Sequence, residues 1–481
     1  MLVSLAVSAA RADRDDTRFL REQTQRATEQ KAQAQEPPLP QAGTLQYQGQ
    51  VYQVPDRLDS LEAAIYIAIN SSQWGQLPSF MARYRLLPGH RPALAAMAQG
   101  LLARYQGDYP LALRAMQQAS EQEPQDARIR LELARLWFEN HQDRQATEGF
   151  AQVLEAGLPA QVQTLVQQYR QALDGRAQWQ GSAALGLGHN DNINQGNGQT
   201  TCLQYLADYC VFDRQMPAAL GSGLLSYELA LQRRVNLGAN HNLLIRPMSY
   251  GQYYPRNNPA DSASIRDYSN HLAQLQLGYQ YLDIRNSVSL APYVEHYYRN
   301  RHSDYLAQGL QLEWRHGLNR QWQLGSNLDA KRYNYSAKGP GSGADYRQYQ
   351  WGLFASYSPN NSTSLYGGLD LTRKRHAVAQ ASSKDWALRG GVYHDFAGNA
   401  GIFVNATAIY RHSRNDGFDG FLGARRHDQQ QVYLLNMGAI GWSFAGLTPE
   451  LRLRHSVNRS NLNWAFGYRQ TELSQIWRRS F

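Results

Sequence analysis

The stretch Leu272-Ala-Gln-Leu-Gln-Leu-Gly-Tyr-Gln-Tyr281 decides the fold of this chain. In an extended strand successive side chains point to opposite faces. Ala273, Leu275, Leu277, Tyr279 and Tyr281 therefore share one face, and Leu272, Gln274, Gln276, Gly278 and Gln280 share the other. The same period returns elsewhere. Leu225, Tyr227, Leu229 and Leu231 oppose Ser226, Glu228, Ala230 and Gln232. Trp322, Leu324, Leu328 and Ala330 oppose Gln321, Gln323, Asn327, Asp329 and Lys331. Leu451, Leu453 and Val457 oppose Glu450, Arg452, Arg454 and Ser456. A soluble sandwich also alternates, so the connections between strands carry the decision.

About fourteen strands are predicted, beginning near Gln178, Leu220, His241, Asn270, Ser287, Tyr305, Gln321, Arg347, Ser364, Lys384, Gly401, Gln429, Pro449 and Thr471. The breaks between them alternate long and short. Residues 188–219 form a long break and Arg234 to Asn240 a short one; Pro255 to Asp267 is long and Asp283 to Asn286 is a turn. Asn300 to Asp304 is moderate and Asn319-Arg320 tight, and the order continues to the short break Ala445 to Thr448. An outer-membrane barrel keeps long outer loops and short periplasmic turns in this order, and a sandwich has no reason to. An even strand count returns the chain to its starting side, which places the region before the barrel and Phe481 together in the periplasm.

Composition agrees. Apolar residues make up 42% of the chain and charged residues 18%, and the mean hydropathy is −0.59. No window supplies the roughly 20 consecutive apolar residues of a spanning helix. Thirty Tyr, ten Trp and 39 Gly suit bilayer interfaces, tight turns and crowded strand crossings. The net charge of +9 is scattered along strands and turns, without the basic blocks and stacking aromatics of a nucleic-acid surface. Contact with anionic lipid head groups is the simpler reading.

The region before the barrel divides in three. Residues 1–10, ending Ser8-Ala-Ala10, read as the remainder of a secretory signal. Residues 11–58 read as a polar tail and linker passing through Pro37, Pro38 and Pro40, with a small hairpin around Gln48-Gly49. From 59 to 175 the period becomes helical. Gly100, Leu102, Ala112, Met116 and Ala119 recur 34 positions later as Ala134, Leu136, Ala146, Phe150 and Val153. That is the tetratricopeptide (TPR) period, with small residues where paired helices approach and large ones between units. A helix over 160–173 would cap the array. Residues 176–481 are then the barrel. The fold class is an α-helical TPR-like domain followed by a transmembrane antiparallel β-barrel.

Enzyme chemistry has no foothold. There is no phosphate loop, nucleophile elbow or zinc-binding His-Glu-x-x-His helix, so no catalytic residue, metal or cofactor is assigned. Cys202 and Cys210 lack a His or acidic cluster to complete a metal site, and in an oxidising compartment they would close a loop as a disulfide. The last strand ends at Phe481 with Trp477 and Leu473 on the same face, which fits the terminal segment presented to the barrel-assembly machinery.

This layout resembles the surface lipoprotein assembly modulators of Gram-negative bacteria, the type XI secretion translocators. Arg128-Ile-Arg-Leu-Glu-Leu-Ala-Arg-Leu-Trp-Phe-Glu139 is similar to the second repeat helix of that family, and Gly188-His-Asn-Asp-Asn-Ile-Asn194 to the Asn-rich end of its first strand. The resemblance implies an outer-membrane translocator, not an enzyme. It would export or display client proteins, either surface lipoproteins or soluble haem- and iron-acquisition proteins. On this reading the repeat domain engages the client, with Arg104, Tyr105, Trp137 and Phe138 as the candidate groove. Trp179, Gly181, Leu473, Trp477 and Phe481 form a candidate seam that opens between the first and last strands. The expected partners are the client, outer-membrane lipids and the assembly machinery, with the chain a monomer. A porin or polysaccharide-export channel is the alternative.

Overall fold

A computed structural model describes residues 14–35, 54–157, 159–255, 265–336, 344–396 and 401–481; in the first stretch, side chains are described for 15–25. The residual signal and the small hairpin lie outside these residues, apart from Val54.

A helix α1 (Arg14–Gln35) comes first. Seven helices follow: α2 (Leu58–Asn70), α3 (Leu77–Arg85), α4 (Pro92–Gln106), α5 (Tyr109–Gln122), α6 (Ala127–Glu139), α7 (Asp143–Leu154) and α8 (Ala160–Ala177). Local sequence sets their ends. Asp108 caps α5 by accepting from Leu111 N at 3.1 Å, and Asp126 caps α6 by accepting from Arg128 N at 2.8 Å. Gly107, at φ 80°, terminates α4 in the left-handed region.

The 34-residue repeat is the packing code of these helices. Ala112, Ala146, Met116, Phe150, Ala119, Val153, Ala134 and Leu136 are wholly buried. A Cβ on Gly100 would stand 3.1 Å from Ala112 O, so glycine here lets α4 and α5 approach without displacing the Ala112 backbone. The helix after the second repeat does cap the array, with Val166 and Tyr169 of α8 buried against Phe138 and Phe150.

The strands are β1 (Gln180–Asn190), β2 (Thr200–Leu206), β3 (Tyr209–Gln215), β4 (Ser222–Gly238), β5 (His241–Tyr253), β6 (Asn270–Leu282), β7 (Asn286–Arg299) and β8 (His302–Gly317). They continue with β9 (Trp322–Tyr335), β10 (Tyr346–Asn360), β11 (Thr363–His376), β12 (Ser383–Asp395), β13 (Ile402–Asn415), β14 (His427–Ala439), β15 (Thr448–Ser460) and β16 (Tyr468–Ser480). All but β2 and β3 form one closed antiparallel barrel of 14 strands, with β1 between β16 and β4. β2 and β3 make a separate hairpin inside the first long connection.

Alternation becomes sidedness. Along β6, Leu275, Leu277 and Tyr279 face out, while Leu272, Gln274, Gln276 and Gln280 are buried toward the lumen. A belt of outward Leu, Trp and Tyr continues around the barrel through Leu310, Leu328, Trp351, Leu388 and Leu453. Such a belt is stable in hydrocarbon and not in water. Within the wall, Tyr293, Phe354, Tyr366 and Phe403 pair directly with Gly309, Gly325, Gly391 and Gly438 and lie over them.

Candidate functional site: the lumen and its two mouths

The largest departure from the sequence reading is α1. As part of the polar tail and linker over residues 11–58, this segment reads as solvated. It is instead inside the barrel. Twenty-two residues at about 1.5 Å each give a rod of about 33 Å, the height of a bilayer core. Its side chains reach the wall in every direction. Asp15 accepts from Arg411 at 2.7 Å, and Asp16 from Arg454 at 2.5 Å. Arg18 donates to Asp370 at 2.6 Å, and Glu22 accepts from Arg389 at 2.8 Å. Arg21 donates to Gln274 at 2.7 Å and Gln311 at 2.8 Å, and Thr17 bonds Tyr250 at 2.8 Å. Two apolar residues complete the fit. Leu20 is buried with Ala230, Met248 and Tyr250, and Phe19 packs on Ala387, Ile409, Val432 and Leu434.

A wall of this kind rests on paired charges, because an unpaired buried ion costs several kcal/mol. Asp370 also pairs with Arg389 at 3.0 Å, and Arg246 with Glu313 at 3.2 Å. Lys331 sits 2.7 Å from Glu295. Near β16, Arg478 bridges Glu228 at 2.6 Å and Glu450 at 2.9 Å, and Arg452 joins through Glu228.

A cavity of 880 Å³ occupies the remaining lumen. It starts among the short turns at Asn319, Gln321 and Asn361 and ends against Asp15, Arg18 and Arg21. The helical domain is seated at this same mouth. The α6–α7 turn rests on the β4–β5 turn: Gln142 donates to Asn240 at 3.0 Å, Ala239 N to Gln145 at 3.1 Å, and Asn240 to Asn140 O at 2.5 Å. Arg285 of the β6–β7 turn donates to Gly107 O at 2.9 Å. Asp143 bridges the domains, 2.9 Å from Arg176 and 3.0 Å from Arg234. Burial works to raise the Asp143 carboxyl, but Arg234 and Arg176 overcome it and hold it below the usual carboxylate range. His141, beside it, is pushed down to about 3 by burial and by the same two arginines.

At the long-loop mouth the Asn-rich segment explains itself. Asn192 donates to Gly196 O at 2.8 Å and to Arg469 O at 2.7 Å. Asn197 donates to Asn463 O, Trp464 O and Gly467 O at 3.1, 3.0 and 2.8 Å. Gln470 reaches back to Asn192 O at 2.7 Å. These amides clasp the loop after β1 to the loop before β16. Beyond the clasp, the β2–β3 hairpin is closed by the Cys202–Cys210 disulfide and exposes Tyr205, Leu206, Tyr209, Val211 and Phe212.

The candidate seam residues do come together. Phe481 and Gly181 exchange both backbone hydrogen bonds at 2.8 and 3.0 Å, and Leu473 and Trp477 pair with His189 and Leu185. Trp179 is half exposed just before β1. Between the buried amides Gln180 and Asn190 at its two ends, β1 presents Ser182, Ala184, Gly186 and Gly188 toward the lumen, and α1 packs against β1 and β4. The candidate groove is split. Tyr105 is exposed and stacks on Trp74 at 5.1 Å. Arg104 is tied to Glu139 at 2.8 Å, and Trp137 is partly buried between the two helical cores. Phe138 is 2% exposed, enclosed by Phe150 and Tyr169 and covered by Arg176, so it is core and lines no groove.

Fold and site together define a transmembrane β-barrel of the outer-membrane type, with a TPR array seated on its short-turn mouth and a helix in its lumen. A model of the surface lipoprotein assembly modifier family matches residues 179–476, and one for the N-terminal TPR repeats of surface lipoprotein assembly modifiers matches 48–150. The chain belongs to the surface lipoprotein assembly modifier family. It is 27% identical over 448 residues to the hemophilin secretion modulator of Acinetobacter baumannii, covering 89% of this chain and 87% of that one. It is 24% identical over 431 residues to surface lipoprotein assembly modifier 2 of Neisseria meningitidis serogroup B, covering 84% and 83%. The modifier of Moraxella catarrhalis is 24% identical over 421 residues, covering 84% and 77%.

Proposed function

We propose that this chain moves client proteins, either surface lipoproteins or soluble haem-acquisition proteins, from the periplasm to the cell surface. The observation that carries the reading is the seating of a TPR array on the short-turn mouth, whose turn residues line the luminal cavity. The names of the relatives, a hemophilin secretion modulator and modifiers of surface lipoprotein assembly, point to the same class of cargo.

In this reading the helical domain and Phe481 face the periplasm and the long connections face outward, as barrel loops do. The array engages the client around Arg104, Tyr105 and Trp137, with Trp74 added by the stack. A 14-strand lumen is too narrow for a folded domain, so the client crosses extended. The β1–β16 seam is the strand pair that yields, because between Gln180 and Asn190 β1 sends only small side chains inward. In this reading the chain works as a monomer among outer-membrane lipids, delivered by the assembly machinery, its closed barrel wall offering no strand edge to a second copy. Passage makes and breaks no bond, and no enzymatic role is assigned.

A polar cavity also suits a porin, and one experiment separates the two. A tagged lipoprotein or haem-binding protein encoded beside this gene is followed by antibody on intact cells. Loss of this chain should abolish surface signal while total cargo is unchanged. Undiminished surface signal with slowed uptake of small solutes would instead support the porin.

A further inference from the structure

We propose that the lumen is a binding site for a polar, alternately charged helix, that α1 fills it in cis, and that α1 leaves it when the pore opens.

Permanent cores are apolar, because hydrophobic burial is what makes folding favourable. The α1 contact is of another kind. Beyond Phe19 and Leu20 it is made of ion pairs and hydrogen bonds, which water replaces when the two surfaces part. The wall is also built to survive the exchange. With α1 gone, Asp370 keeps Arg389 at 3.0 Å and Arg411 keeps Gln430 at 2.5 Å. The Glu228, Glu450, Arg452 and Arg478 cluster needs nothing from α1 to balance its charge. Finally, Ser182, Ala184, Gly186 and Gly188 leave a smooth strip on β1 along which a helix can slide.

The ligand class follows from the wall. It is a helix with two adjacent carboxylates facing Arg411 and Arg454, then a cation facing Asp370 and a carboxylate facing Arg389. Only the identity of the segment that replaces α1 depends on the translocator reading, so the test uses no client.

The full-length protein is placed in planar bilayers. The unaltered chain should stay largely closed. Asp15→Lys with Asp16→Lys sets like charges against Arg411 and Arg454 and should raise open time by about tenfold or more. Adding Arg411→Asp and Arg454→Asp should restore closure, which also shows that the barrel of the first variant folds. A synthetic peptide of residues 11–35, added on the side of the helical domain, should close the open variant lacking 11–35, and a peptide with both lysines should not. Unchanged open time in the charge-reversed variant, or failure of the peptide to close the pore, would overturn the proposal.

Discussion

Arg18 of α1 lies 2.6 Å from Asp370 of β11, a pair formed between the start of the chain and the far wall of the barrel. Asp370 also holds Arg389 at 3.0 Å, and Glu22 holds the same two arginines at 3.1 and 2.8 Å, so two carboxylates balance two guanidinium groups. Asp370→Asn should leave Glu22 alone between the two cations and cost about 3 kcal/mol, the scale for breaking a buried pair. Adding Arg18→Met removes the excess cation, leaves Glu22 paired with Arg389, and should recover part of the loss. Heat-dependent mobility of the folded barrel on gels measures both. A double variant worse than the single would show that the pair does not hold α1.

The sidedness of β6 makes a second expectation. Leu277 is 48% exposed and points at lipid, whereas Gln276 is 3% exposed and donates to Gln311 at 2.6 Å. Leu277→Arg should cost about 2–4 kcal/mol if it lies near the bilayer midplane. Gln276→Leu should cost about 1 kcal/mol, the value of one hydrogen bond. Equilibrium refolding into vesicles gives both numbers.

Docking of the helical domain should depend on pH. His141 is pushed down to about 3 by burial, Arg176 and Arg234, and undocking takes Arg234 away and lets it rise toward the ordinary 6.5. The undocked form then binds a proton that the docked form refuses, so docking weakens as pH falls below the ordinary histidine range toward 3. The Asp143 carboxyl, held low, adds to the loss only below its ordinary value of 3.8. His141 has φ 57°, a region Asn tolerates, so His141→Asn should flatten the slope at about pH 5 without undoing the turn. Energy transfer between dyes on α5 and the β10–β11 turn reports the separation.

The Asn clasp and the hairpin should separate in their effects. Asn192→Ala with Asn197→Ala removes the amides that reach Arg469, Asn463, Trp464 and Gly467. Hydrogen exchange should then quicken at 468–472, while the rest of the barrel stays protected. Cys202→Ser with Cys210→Ser should expose 200–215 to protease and leave barrel stability unchanged, since an isolated hairpin is marginal without its link.

Much of this was legible in the sequence, and the parts that were not have physical reasons. Strands predicted near His241 and Asn270 begin at those residues, and Ser287 and Arg347 fall within one residue of the observed starts. Period-two alternation survives because one side meets lipid and the other a polar lumen. α1 was hidden because an amphipathic stripe signals burial only against an apolar interior. Here the interior is charged, and Asp15, Asp16, Arg18 and Glu22 are its complement. Phe138 was mistaken for groove because α6 alone does not show that Tyr169 of α8 will cover it. The β2–β3 hairpin falls inside the long break over 188–219, where Thr200-Thr-Cys-Leu-Gln-Tyr-Leu206 has strand composition but no place in the long–short order of the barrel.

The central claim is that α1 fills the lumen at rest and vacates it during transport. The most direct measurement places a photo-crosslinking phenylalanine at Phe19, which packs on Ala387, Ile409, Val432 and Leu434. At rest, irradiation should join residue 19 to the wall between β12 and β14. With a surface lipoprotein stalled in transit by a fused, disulfide-locked domain, that product should disappear. An undiminished wall product in the stalled complex, or none at rest, would contradict the account.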